Sequence, residues 1–393
     1  MALFATGVAD AGGEGPWSIE PRLGVSTDYT SNPLLEPSGA QSETRAAALI
    51  DLPLRYDTDQ LDFLLRPNGR FTDKSGYSAL GSNFEHLDSS AQFIDEVDTV
   101  SLQSEIARDS SLYYVGGLVN RVGVPRDTAS IASDWTRVTT ERSQLQFDAN
   151  WSRVRYDEPA DFNQLVDYRY VSGGPTFAYS LSERNTLKLL GTYGVYESLN
   201  GSTKSTSENV QLGFGRQLSE IWSLSTSAGY SRSMNRENTF IDFFGFIFPI
   251  TERSTQDGTV YAVTVSRQGE RFNFSGGVSR ALQPTGFAFL SNQDSYNLSA
   301  SYTRSERWDF GLSASWLKAT NPPVSSGRAE FNTQESTYRY LNAQLAARWH
   351  WTPQWVVSVT VNRITQQYGS PSVTGDSSGV SIDLIRQFLR KHF

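Results

Sequence analysis

The chain has three histidines, His86, His350 and His392, and no cysteine. Thiol catalysis, cysteine-ligated zinc and disulfides are therefore excluded. His86 lies beside Asp88, Ser89 and Ser90. A hydrolytic Ser–His–acid set needs convergence in space, which closeness in sequence does not establish. His86 reads as an ordinary polar residue at the outer end of a strand. His350, between Trp349 and Trp351, reads as interfacial, and His392 falls in the terminal tail. No metal-ligand spacing, phosphate loop, dinucleotide fingerprint or calcium loop occurs. Gly173-Gly174 and Gly276-Gly277 read as strand glycines at bends or close approaches, not as cofactor loops. The expectation is no catalytic residue, no metal ligand and no cofactor.

The remaining chemistry is that of arginines and carboxylates placed by β-strands. Trp17, Ile19, Pro21, Leu23, Val25, Thr27 and Tyr29 share one parity, and Ser18, Glu20, Arg22, Gly24, Ser26 and Asp28 share the other. Successive side chains of a strand point to opposite faces, so this segment has one apolar and one polar face. The same alternation recurs, for example in Leu187-Leu189-Gly191-Tyr193-Val195, Trp222-Leu224-Thr226-Ala228-Tyr230 and Trp355-Val357-Val359-Val361.

Short polar turns fall at 57–60, 95–98, 139–142, 181–184, 218–220, 268–270, 304–307 and 352–354. The Ser-Glu turns recur as a hairpin repeat. Longer Gly-, Ser-, Asn- and Pro-rich connections are expected at 30–42, 73–84, 109–130, 157–167, 199–206, 233–257, 283–293, 319–335 and 366–376. Short turns at one end and long loops at the other is the pattern of an antiparallel transmembrane β-barrel. Eight turns and one further strand at each end predict about 18 strands, with 16 as the alternative because boundaries in 109–130 are unclear. Both chain ends then share the short-turn, periplasmic side. Residues 17–393 form a single barrel on this reading. Residues 1–16, with Ala9-Asp10-Ala11 resembling a cleavage site, read as part of a signal peptide or a flexible segment.

Mean hydropathy is −0.42, and no run approaches the roughly 20 apolar residues of a membrane helix. A barrel needs only every second strand residue to be apolar. Aromatic placement separates it from a soluble sandwich or propeller. Trp222, Phe272, Trp308 and Trp355 each follow a short turn on the apolar parity, while Tyr29, Trp151, Tyr230 and Trp316 end apolar faces. Trp222 to Tyr230 covers roughly 20 Å along a barrel axis, the separation of two interfacial girdles. The net charge of −8 argues against nucleic acid as a partner.

The polar parity should line the lumen. It places Glu20, Arg22, Asp51, Arg55, Asp62, Arg66 and Arg70 on one wall, and Tyr338, Tyr340, Asn342 and Gln344 on another. The arginines either pair with the carboxylates or, left unpaired, would favour anions. The segment 240–250, with Phe243, Phe244, Phe246 and Phe248, is strongly apolar for an extracellular loop. It is a candidate constriction, with a rim extension or a partner contact as alternatives.

Three sets of residues carry a family likeness: 28–35 (DYTSNPLL), 108–112 (RDSSL) and the repeated Leu-Ser-Glu-Arg turns. In these the chain resembles Gram-negative outer-membrane barrels, specifically porin-like barrels associated with exopolysaccharide loci of proteobacteria. The terminal Phe393 is similar to the assembly signal of such barrels, although Gln387 and Lys391 interrupt the apolar parity before it. The resemblance implies a channel for hydrophilic solutes, with export of an exopolysaccharide as the finer expectation. It implies as partners outer-membrane lipid and lipopolysaccharide, the solute or polysaccharide, and the barrel assembly machinery. A non-conducting structural or surface-binding barrel and an outer-membrane hydrolase are the alternatives.

Overall fold

The structure is a computed structural model that describes residues 15–72, 83–110, 125–157, 166–243, 246–284, 290–320, 337–368 and 372–393. These residues form one closed antiparallel barrel of 18 strands, and no helix occurs among them. In chain order, β1 is Trp17–Ile19 continued as Arg22–Thr30, and β2 is Glu43–Asp51 continued as Leu54–Asp57. Then follow β3 (Leu61–Thr72), β4 (Phe84–Ile94), β5 (Asp98–Ser110), β6 (Pro125–Thr140), β7 (Ser143–Tyr156) and β8 (Tyr168–Ser182). Next are β9 (Asn185–Ser198), β10 (Thr203–Gln217), β11 (Trp222–Phe243), β12 (Phe246–Arg267) and β13 (Phe272–Pro284). The last are β14 (Leu290–Ser305), β15 (Trp308–Thr320), β16 (Thr337–Thr352), β17 (Trp355–Tyr368) and β18 (Val373–Gln387).

Each strand pairs with its sequence neighbours, and β1 closes the barrel on β18 from Arg22↔Gln387 to Thr30↔Gly379. The interruptions in β1 and β2 fall at Pro21 and Pro53, which have no N–H to give to the ladder. At Gly174 a Cβ would stand 1.9 Å from the carbonyl oxygen of Gly191, so that approach requires glycine.

All eight short turns lie where the alternation breaks. The opposite end differs from expectation. The 233–257 segment is not a loop: every residue from Trp222 to Phe243 is paired with one from Arg267 to Phe246 in an uninterrupted hairpin. The connections expected at 199–206 and 366–376 are also shorter, since pairing resumes at Thr203 and Val373. Strand segments that run past the apolar outer band lose the apolar–polar alternation, so they read as loops.

The cross-strand registers carry one parity around the whole ring. On the outer face Val25, Leu189, Val210, Leu212 and Ile382 are each more than half exposed, which would be costly in water and suits hydrocarbon. Aromatic rings border this band near the short turns. Trp308 stacks on Trp349 at 6.0 Å, and Trp17 packs on Tyr56 at 4.9 Å. Tyr296 and Trp316 meet at 4.9 Å at the other border.

Candidate functional site: the barrel interior

On β1 to β3 the inward arginines are paired with carboxylates. Arg66 donates from Nε and Nη2 to the two oxygens of Asp51, at 2.7 and 2.8 Å. Arg55 makes the same fork to Asp62 at 2.9 and 2.7 Å. Arg22 donates to Glu20 at 3.1 Å and stands 3.9 Å from Asp51, and Arg70 pairs with Asp28. Glu20 is also reached by Arg390 at 3.4 Å. Bidentate geometry fixes the planar guanidinium against its partner, so these charges fill the wall.

Further round, Arg126 of β6 forks onto Asp109 of β5 at 2.7 and 3.0 Å, with side chains only 3% and 10% exposed. Beside it the register Asp88↔Glu105 brings His86 Nδ1 to 3.4 Å from Glu105 Oε1. One ligand atom each from His86, Asp88 and Glu105 lies within 4.8 Å of the others, an arrangement the spacing along the chain does not reveal. Among the described residues, His86 is not joined to a serine nucleophile. Ser89 points to the outer face and hydrogen-bonds Ser104 at 2.7 Å.

Tyr338 and Tyr340 do face inward, but they are 7% and 8% exposed and pack with Leu317, Ala319 and Ile364. They close that sector rather than line open space. Of the apolar segment 240–250, Phe243, Phe246 and Phe248 have backbones paired in the β11–β12 hairpin. Their side chains, and all of Phe244, lie outside the described residues.

Sequence reasoning missed the element that narrows the lumen. β12 pairs β13 only from Tyr261↔Arg280 to Arg267↔Phe274, whereas β13 and β14 stay paired up to Pro284↔Leu290. The end of the β13–β14 hairpin thus leaves the wall. It packs across the interior on β7 to β9, where Leu290 and Leu282 meet Val154, Tyr156, Tyr168, Tyr170 and Tyr196. Leu290 and Ser291 are completely buried. Once a hairpin is inside the barrel both its faces are interior, so Leu282 and Leu290 occupy the apolar, outward parity yet point inside. Two apolar residues on that parity look like lipid contacts, and nothing in the sequence distinguishes them.

Between this hairpin and the wall lies a cavity of ≈ 480 Å³, bordered by Asn150, Tyr170, Asn209 and Ser231 from the wall and by Leu282 and Pro284 from the hairpin. Its lining comes from strands as far apart as β5 and β13, which can meet only inside the closed barrel.

No protein-family model matches the chain, and no curated protein is similar to it. Among solved structures, the ferric citrate transporter FecA in its unliganded form aligns with a TM-score of 0.50 at 9% identity, over 96% of this chain and 79% of that one. The outer membrane protein OpdK from Pseudomonas aeruginosa aligns with a TM-score of 0.46 at 13% identity, over 94% and 99%. The ferric-catecholate import receptor Fiu from E. coli K12 aligns with a TM-score of 0.46 at 8% identity, over 93% and 81%. At these identities the likeness is one of fold, that of the outer-membrane β-barrels.

Proposed function

We propose that the protein spans the outer membrane of a Gram-negative bacterium, with its short turns and both chain ends periplasmic. In this reading it is a channel passing small hydrophilic solutes. The observation that carries the proposal is the ≈ 480 Å³ cavity between the infolded hairpin and a wall that is mostly neutral, with Glu105 and Arg126 at its border. Its size is that of a small-molecule site. Its hydroxyls, amides and tyrosines can replace the hydration of a neutral or cationic solute. The apolar outer band and the aromatic girdles support the membrane location.

Export of an exopolysaccharide is the finer reading that the family resemblance implies. It requires the β13–β14 hairpin to move out of the lumen, since a polymer must pass where Leu290 now packs on Tyr168 and Tyr196. Single-channel recording in planar bilayers tests both. The parent should show small discrete conductance steps. Replacing residues 282–292 by a short Gly-Ser turn should enlarge them several-fold. Absence of discrete steps in both proteins would sink the channel reading. Block of only the shortened protein by added oligosaccharide would favour passage of the polymer.

A further inference from the structure

Directly paired residues on the outer face, at the end away from the short turns, form a row of cations. The register runs Arg153↔Arg169, Arg169↔Glu197, Glu197↔Lys204, Lys204↔Arg236 and Arg236↔Arg253, across six consecutive strands from β7 to β12. All six share the parity of the exposed apolar residues Val171, Tyr193, Val210, Tyr230 and Val263, so all point away from the lumen. Like charges directly opposite each other on neighbouring strands repel. Here Arg153 faces Arg169, and Lys204, Arg236 and Arg253 stand side by side.

Only one carboxylate interrupts the row: Glu197, which accepts from Arg169 Nε at 2.9 Å. Arg153, Lys204, Arg236 and Arg253 make no ion pair among the described residues, and Arg153 Nε is buried without a hydrogen-bond partner. The contrast with the interior is sharp, where Arg55, Arg66 and Arg126 each hold a carboxylate in a fork.

The row also has a direction. Arg153 is the first outward residue beyond Trp151, whereas Arg236 is three outward steps beyond Tyr230. Strands inclined by about 40° and spaced about 4.8 Å apart raise a directly paired row by about 3 Å per strand, or about 15 Å over this one. It begins at the edge of the apolar band and climbs away from it. Phosphates of a glycerophospholipid lie in one plane and would meet only its foot. A glycolipid with phosphates both on its acylated sugars and on the sugars above them would meet its whole length.

We propose that this stripe is a binding site for the phosphates of a lipopolysaccharide-type glycolipid, packed against the outer wall over β7 to β12. The proposal rests on the membrane orientation given above, with the long-hairpin end in the outer leaflet. Each phosphate oxygen would accept from a guanidinium or ammonium group, which relieves the repulsion between neighbouring cations.

The test is the unfolding temperature of purified protein in neutral detergent, alone and with added lipopolysaccharide carrying a phosphorylated core. The parent should be stabilised by several degrees. The triple variant Lys204→Gln, Arg236→Gln, Arg253→Gln should lose most of that shift. Without lipid the variant should unfold at the parent temperature or above it, because a repulsive cluster has been removed; a purely structural role predicts a lower temperature. An undiminished shift in the variant overturns the proposal, as does an equal shift of the parent with phosphatidylglycerol or with inorganic phosphate. Labelling of a cysteine placed at Gly201 on intact cells tests the orientation separately. A lipopolysaccharide shift without surface labelling would overturn the membrane orientation and leave the phosphate chemistry standing.

Discussion

Two arcs of the interior solve the same problem in different ways. From β1 to β6 the lumen wall is built from charges, and forks such as Arg66–Asp51 and Arg126–Asp109 hold it together across strands. From β8 to β14 the inward positions are mainly Ser, Thr, Asn, Gly and Tyr, and a hairpin of the chain itself occupies the space. Paired charges can fill a wide wall only if each finds a partner at fixed distance, which makes that arc rigid. The neutral arc has no such requirement, and it supplies most of the cavity lining, with Glu105 and Arg126 of the charged arc at the border.

The comparison breaks most directly at Arg126. Its side chain is 3% exposed, and removing it strands Asp109 without its fork. Arg126→Gln should cost about 3–5 kcal/mol of barrel stability, as loss of one partner of a buried pair does. Chemical denaturation in detergent measures it. A cost below about 1 kcal/mol would mean that the charged arc is wet and loosely held.

The next effect in size separates inner from outer face at two places on the ring, β11 and β17. Leu224→Arg and Val359→Arg put a charge into the lipid-facing band and should each cost about 2–4 kcal/mol. Ser225→Arg and Thr360→Arg point inward, and Ser225 is exposed on that side, so both should be much milder. Equal losses from the two pairs, measured by urea unfolding in lipid vesicles, would show a packed interior near the short turns.

A smaller change sharpens the gradient inside the charged arc. The Arg55–Asp62 pair is about 40% exposed on both sides, in the wet part of the lumen. Arg55→Gln should therefore cost less than about 1 kcal/mol, well below Arg126→Gln, despite the same bidentate geometry. Comparable losses at the two sites would show that burial does not grade this wall.

These contrasts also mark what could be read from the chain. Strand number, the eight turns and the two faces follow from a period-two pattern that recurs along the chain. The inward positions of Arg22, Arg55, Arg66 and Arg70 follow from the same parity. What parity does not carry is which strand residue stands opposite which. The approach of Glu105 to His86 and the alignment of Lys204, Arg236 and Arg253 depend on register across turns and loops. The infolding of Leu282 and Leu290 was hidden for another reason. An apolar residue that packs on Tyr168 inside the lumen looks the same in sequence as one that meets lipid.

The smallest expected effect concerns ion preference, and here the pairing reverses the expectation for bare arginines. Arg22, Arg55, Arg66 and Arg70 are all matched by carboxylates, so they add little net field. Asp88, Glu105, Asp134 and Asp148 also face inward on β4 to β7, where Asp88 stands opposite Glu105 and Asp134 opposite Asp148. None of the four forms an ion pair with an arginine or lysine among the described residues; Asp88 accepts from Asn68 at 2.9 Å, and Asp134 accepts from Thr136 at 3.2 Å. Charge lining a narrow lumen acts on a passing ion at distances shorter than the screening length of about 8–10 Å, so this excess should outweigh charge on the outer surface. The parent should show a modest cation preference, read as the reversal potential in a salt gradient. Asp88→Asn with Glu105→Gln should reduce it. Arg55→Gln with Arg66→Gln should increase it by uncovering Asp62 and Asp51. If the first pair leaves the reversal potential unchanged while the second shifts it, ions pass along β1 to β3. If neither shifts it, the conducting path lies wholly along the neutral arc beside the infolded hairpin.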